Sequence, residues 1–188
     1  MSRVRDFDDW MVNPSMFQYL DQLWCPHTVD CFANEHNSQT PRFHSRFWCP
    51  GSEAVDTFTV NWGSEVCWLV PPPLYLVSHA LCHARACKAQ GTLIVPFWRS
   101  VPFWPLLCPD GRHLTPFIHA YEIFPYQTGM LQPGRGGNNL GDSLRWNSSL
   151  LAVAFNFSKP PRKFNVGFRL FNTDGVCDRC AVSRTRSS

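Results

Sequence analysis

Three short stretches carry residue types able to do chemistry, at places where a fold gathers them. Asp30 lies in the apolar run Thr28-Val29-Asp30-Cys31-Phe32, and Asp56 stands at the mouth of the weakly alternating run Val55–Val60. Pro71-Pro72-Pro73 stops the apolar run Val66–Val70. Each falls where a buried strand should end. In a doubly wound sheet such ends converge on one crevice, where a carboxylate accepts hydrogen bonds from ribose hydroxyls or an adenine amine. A plainer reading has Asp30 capping a helix from Ala33 and Asp56 closing a turn. The residues by themselves leave both open.

Metal chemistry is less well supplied. His79, Cys82, His83 and Cys87 fall on one predicted helix, and His79 and His83 are four apart, so they share a face. No HExxH glutamate accompanies them. Cys177-Asp178-Arg179-Cys180 is half of a tetrahedral zinc site, without a second pair nearby. Gly134-Arg135-Gly136-Gly137 lacks the Lys-Ser or Lys-Thr that completes a phosphate loop. We expect no metal, incidental thiols and a surface loop.

The elements that must position these residues can be read from the pattern. Asn13-Pro14-Ser15 predicts a helix start, followed by Met16, Phe17, Leu20 and Leu23 at helical spacing. Residues 33–50 are polar and turn-rich. A strand over Val66–Val70, a helix over Leu74–Ala89 with Leu76, Val77, Ala80, Leu81 and Ala84 on one face, Gly91, and a strand over Thr92–Pro96 make a βαβ unit. That predicts an α/β fold with a mostly parallel sheet. Tyr121–Tyr126 and Leu150–Phe157 are further strands, separated by a Gly/Asn-rich loop over 129–149. Trp98, Phe103 and Trp104 are expected to cover the core. From Ser158 the chain turns basic, and its last dozen residues read as a disordered tail.

Composition bounds the function classes. The chain has 188 residues, 44% apolar, 14% aromatic and only 16% charged, which excludes disorder over most of its length. No apolar run approaches a membrane span and no signal-type segment follows Met1, so an intracellular setting, nucleus or cytoplasm, is expected. Nine cysteines at irregular spacing read as reduced thiols. The net charge of +3 is uneven: residues 1–70 sum to −5 and residues 71–188 to +8. Arg135, Arg145, Lys159, Arg162 and Lys163 in that basic half are able to meet the phosphates of DNA or RNA.

One ordered combination is more specific than any of its parts. Asp9-Trp10, Pro14, Phe17, Val29-Asp30-Cys31-Phe32-Ala33, Asn37, Asp56-Thr57-Phe58, Trp62, Pro72-Pro73, Leu93-Ile94-Val95-Pro96-Phe97-Trp98 and Phe103-Trp104 follow one another. This order resembles the segment downstream of the ribonuclease H domain in polyproteins of DIRS-type (tyrosine-recombinase) retroelements. That segment is itself similar to Dam-like adenine DNA methyltransferases, which use S-adenosylmethionine. The resemblance covers residues 2 to about 107 and runs on weakly to about 157. It implies a Rossmann-like, methyltransferase-type sheet with flanking helices over 10–157. Residues 1–9 are then the remnant of a ribonuclease H domain, and residues 158–188 a basic tail.

By the same resemblance, Trp10 and Pro14 help hold the cofactor, Asp30 and Phe32 lie at the cofactor-binding strand end, and Asp56 is the acid near adenine. Pro71, Pro72, Pro73 and Tyr75 fall on the catalytic Asn/Asp-Pro-Pro-aromatic loop. There a polar side chain and a proline carbonyl accept from the target amine while the aromatic ring stacks on a flipped base. In this sequence the polar position is Val70 or Pro71 and the aromatic position Pro73 or Leu74, with Tyr75 one residue beyond. The turn after the first strand lacks glycine, which would let backbone approach a cofactor closely. The expectation is a catalytically degenerate methyltransferase-fold domain in which S-adenosylmethionine binding is weakened or lost. The rival is a non-enzymatic module binding nucleic acid or retroelement polyprotein partners.

Overall fold

A computed structural model describes residues 10–71, 74–126, 129–133 and 148–160. Pro72, Pro73, the Gly134–Gly137 run, Arg135, Arg145, Arg162, Lys163 and the Cys177/Cys180 pair lie outside the described residues, as do 1–9 and the rest of the proposed tail beyond 160. In chain order the elements are β1 (Trp10–Val12), α1 (Pro14–Leu23), β2 (Val29–Asp30), β3 (His44–Ser45), β4 (Ala54–Val55), a 3-10 turn (Thr57–Thr59) and β5 (Val66–Leu69). They continue with α2 (Leu76–Ala86), β6 (Gln90–Pro96), α3 (Trp104–Leu107), β7 (Ile118–Phe124), β8 (Leu131–Pro133) and β9 (Leu150–Asn156).

Five strands share one sheet in the order β2-β5-β6-β9-β7. β2, β5 and β6 run parallel, and β9 runs antiparallel between β6 and β7. β3 and β4 pair in parallel beside the β2 edge, joined to it by a single parallel bridge from Asp30 to Phe43. The chain therefore steps outward from β2 through β3 and β4, then returns to lay β5 and β6 on β2's other side. The order reverses at β2, and such a reversal opens a crevice at the strands' C-terminal ends.

The βαβ unit predicted over 66–96 is present, with β6 flanked on both sides by β5 and β9. Val77, Ala80, Leu81 and Ala84 are the buried stripe of α2. Gly91 is needed where β6 meets β5. Its φ is +156°, and a Cβ there would lie 2.0 Å from the Cys67 carbonyl oxygen. Only glycine permits that approach.

Strand alternation sorts side chains onto two faces. Val29, Cys31, Cys67, Leu69, Leu93, Val95, Leu151 and Val153 pack with the α2 stripe and with Phe103, Trp104 and Leu107. Trp68, Ile94, Leu150 and Ala152 face the other way, against Val12, Leu20 and Met130. Helix α1 starts as its sequence predicts: Asn13 Oδ1 accepts from the Ser15 amide at 2.9 Å and Pro14 takes the first helical position. Leu20 buries its apolar side, whereas Leu23 at the end of the helix is exposed. Of the three aromatics expected to cover the core, Phe103 and Trp104 join it and Trp98 is 37% exposed. β1 and β8 form an antiparallel ribbon whose second strand lies in a stretch predicted to be loop. No described helix is long and apolar enough to cross a membrane.

Candidate functional site

Asp30 is the last residue of β2, at the point where strand order reverses. Its carboxylate does not open toward the crevice. It is 3% exposed and accepts from the amides of Phe32 at 3.4 Å and Gln39 at 3.1 Å. Burial pushes its pKa up to about 7 against the pull of those two amides. The carboxylate therefore ties down the loop that follows it. No helix begins at Ala33, so Asp30 caps none; turns cover 31–32 and 35–37.

That loop also uses its own polar side chains on its own backbone. Asn34 N–H donates to Asn37 Oδ1 and His36 N–H to Asn34 Oδ1, while the Asn37 and Ser38 amides donate to the Asn34 carbonyl. Ala33 N–H donates to the His44 carbonyl. With the two amides bound to Asp30, the donors that a ligand at a switch point usually meets are turned inward. Gln39 Nε2 closes the far end by donating to the Val12 carbonyl at 2.6 Å, which ties the loop to β1.

Asp56 follows β4 directly. It has φ +62°, accepts from the Phe58 amide at 3.1 Å, and caps the 3-10 turn. Unlike Asp30 it is exposed. Asp30 ends a strand as the pattern predicts, whereas the run Val55–Val60 read as a strand is a 3-10 turn over Thr57–Thr59 that Asp56 caps just after β4, and only Asp56 faces water. Phe58 beside it stacks on His79 with centroids 3.8 Å apart and meets Phe32 edge-on at 5.8 Å. His83 donates elsewhere: its Nε2 lies 2.8 Å from the Val60 carbonyl, which can only accept. His79 and His83 on α2 are therefore part of an aromatic cluster with Phe58 and Trp62. Among the described residues, no group of three or more His, Cys, Asp or Glu is placed to hold a metal.

After β5 the chain continues into Val70 and Pro71. Val70 packs against the Trp68–Ile94 side of the core, and Pro71 is buried. Tyr75, just before α2, is 73% exposed. The end of β5 thus leads into two apolar residues, Val70 half-buried and Pro71 buried. Pro14 is the first residue of α1, and Trp10 begins β1; Phe32 is half-buried against Phe58 and Trp62.

Two polar constellations give no sequence motif. Asp21, His27 and Thr92 form a carboxylate–imidazole–hydroxyl series: His27 Nδ1 lies 2.7 Å from Asp21 Oδ1 and Nε2 lies 2.8 Å from Thr92 Oγ1. The order matches a catalytic triad, yet Thr92 is 1% exposed and His27 is 9% exposed. It joins the end of α1 to β6 inside the core. His44 Nδ1 meets Thr57 Oγ1 at 2.9 Å, and the Cys31 thiol lies against His44 and Cys67. Burial pushes that thiol well above the ordinary range, which keeps it protonated and unreactive. In sequence these residues are far apart and share no spacing rule, so only the sheet register reveals them.

Compared with known proteins, the chain matches no protein-family model and no curated protein.

Proposed function

We propose that this chain is a methyltransferase-fold domain of retroelement descent that no longer transfers methyl groups. The strand order supports the fold: a sheet parallel except for β9, reversing at the strand that ends in Asp30, is what a methyltransferase-type Rossmann-like sheet requires. The place of Val70 carries the loss of function. At the end of β5, beside the reversal, the resemblance calls for an amide or carboxylate that accepts from the target amine, and the two residues able to take that position are Val70, half-buried against the core, and Pro71, which is buried.

The residues present also fit S-adenosylmethionine poorly. The loop after β2 has no glycine, and its amides are bound to Asp30, Asn34, Asn37 and His44 rather than aimed at a ligand. The test is transfer of a labelled methyl group from S-adenosylmethionine to duplex and single-stranded DNA, run beside calorimetry with the cofactor. No transfer and weak or absent heat are expected. Transfer that Asp30→Ala abolishes would overturn the proposal.

A further inference from the structure

The loop that follows β2 is built as a unit fastened to a fixed strand. Asp30 is pinned on both sides: it pairs with Trp68 of β5, bridges to Phe43, and its N–H donates to the Arg42 carbonyl at 3.0 Å. Residues 34–38 bond among themselves, Asn34 with His36, Asn37 and Ser38, so this stretch holds its own shape. Gln39 then fastens its far end at two points. The Gln39 N–H donates to Asp30 Oδ2 at 3.1 Å, and Nε2 donates to the Val12 carbonyl at 2.6 Å.

The Asp30 carboxyl shares the sheet face of Trp68 by register and is 3% exposed. Among the described residues its donors are two backbone amides, and the Phe32 contact is long at 3.4 Å. The charged and titratable groups on the elements around it are engaged elsewhere. Arg42 pairs with Glu53 and Glu65, His44 on β3 meets Thr57, Glu35 pairs with His36 in the loop, and His27 after α1 bonds Asp21 and Thr92. A carboxylate shut away from water on such terms carries a desolvation cost that contact with water relieves. The strand cannot bring the group out, because its backbone is held on both sides. The loop must move instead.

We infer that residues 34–39 are a latch at the reversal of the sheet, closed over a neutral Asp30 and released when that carboxyl ionises. Release breaks the Gln39 contacts to Asp30 and Val12 together, so the tie between this loop and β1 goes with it. The device needs neither cofactor nor methyl transfer, so its failure and that of the proposed function are separately visible.

The experiment is hydrogen–deuterium exchange of the full chain, read by mass spectrometry at about pH 5, 6.5 and 8 and corrected for the intrinsic exchange rate at each pH. Opening of the 31–39 segment is expected to rise about 100-fold from the lowest pH to the highest, as a carboxyl passing from about 7 when closed to an ordinary 3.8 when open dictates. At every pH this segment should open more readily than β6. Asp30→Asn should make the opening independent of pH. Gln39→Ala removes the Val12 tie from a half-buried position, and should loosen the segment at every pH while keeping the slope. The unmodified chain gives the slope by itself, so a variant that fails to fold leaves the test intact. Opening that does not change with pH, a slope that survives Asp30→Asn, or protection equal to that of β6 at every pH would each overturn the inference.

Discussion

The Asp30 carboxylate and the Gln39 amide, nine residues apart, meet at 3.1 Å and close the loop at the reversal of the sheet. This contact makes a buried acid the anchor of the segment where a ligand would bind. Burial raises its pKa from an ordinary 3.8 to about 7 in the folded chain. The sign of the consequence is fixed. An acid that holds its proton more tightly when folded adds stability that is full below about pH 3.8 and is lost as pH rises through about 7. Asp30→Asn should therefore flatten the stability profile between those values. Urea denaturation of both forms across that range checks it, and parallel profiles would exclude a titrating Asp30.

How much of this was legible depended on whether a residue's environment is written into its neighbours. Val66–Leu69, Leu76–Ala86 and Gln90–Pro96 follow from apolar runs, a stripe and Gly91, because each buries the faces that its own pattern presents. Asn13 as cap and the strand end at Asp30 were equally readable, whereas the run Val55–Val60 read as a strand is a 3-10 turn that Asp56 caps. His44–Ser45 was not, since its strand is two polar residues satisfied inside by Thr57 and Ser52. Nor was the ribbon of Trp10–Val12 with Leu131–Pro133, which pairs two three-residue segments across most of the chain. Spacing placed Asp30 at a strand end but says nothing about direction: Asp30 turns inward and accepts from the amides of Phe32 and Gln39 in the glycine-free loop after it.

The Asp21–His27–Thr92 series gives an opposite pH dependence. Desolvation lowers the His27 pKa below 6.5, opposed by its hydrogen bond to Asp21. The neutral ring donates from Nδ1 to Asp21 and accepts at Nε2 from the Thr92 hydroxyl. A base whose folded pKa is depressed contributes stability above its unfolded pKa and loses it as pH falls through the folded one. Thr92→Val keeps the shape and leaves Nε2 without its donor, at a cost of about 1–3 kcal/mol. His27→Ala should cost more, about 3–4 kcal/mol, and remove the acid-side slope. Denaturant titrations at pH 5 and 8 measure both, and a Thr92→Val chain as stable as the parent would show that this bond contributes nothing.

Arg42 fastens the opposite end of the sheet. Its guanidinium pairs with both Glu53 oxygens at 2.8 Å and both Glu65 oxygens at 3.0 Å, linking the approaches to β3, β4 and β5. Both glutamates are held below their usual range, first by these hydrogen bonds. The side chain is half exposed, so solvent discounts the gain. Arg42→Ala should cost about 1 kcal/mol or less, shrinking further in high salt. Arg42→Lys should recover only part of it, because one ammonium cannot match two planar forks. Equal losses at low and high salt would argue that packing, not charge, holds this corner.

Gly91→Ala should be among the most damaging single changes available. The added Cβ would stand 2.0 Å from the Cys67 carbonyl oxygen, with that residue's backbone carbon and nitrogen at 2.8 Å, and backbone in the sheet centre has no way to yield. The positive φ adds strain of its own. A loss above about 3 kcal/mol, seen as aggregated or unfolded protein, is expected. A folded variant with nearly the parent's stability would mean that the β5–β6 register differs from Cys67 opposite Gly91.

Val70→Asn tests the proposed loss of methyl transfer at its polar position. Removing a preorganised polar group from a transition state costs about 3–4 kcal/mol, or a hundred- to thousandfold in rate. A ring that fails to stack on the target base costs a further 1–3 kcal/mol or so. Val70→Asn restores the first term alone, and it places an amide against the Trp68–Ile94 side of the core, where an unpaired polar group costs about 1–3 kcal/mol. The loop after β2 would still keep its amides from a cofactor. The variant should therefore be less stable than its parent and still transfer no methyl group. The readout is paired: a denaturation curve and a labelled-methyl assay on the same preparation. Transfer gained at any cost in stability would show that the crevice still accepts the cofactor and that Val70 was the sole defect.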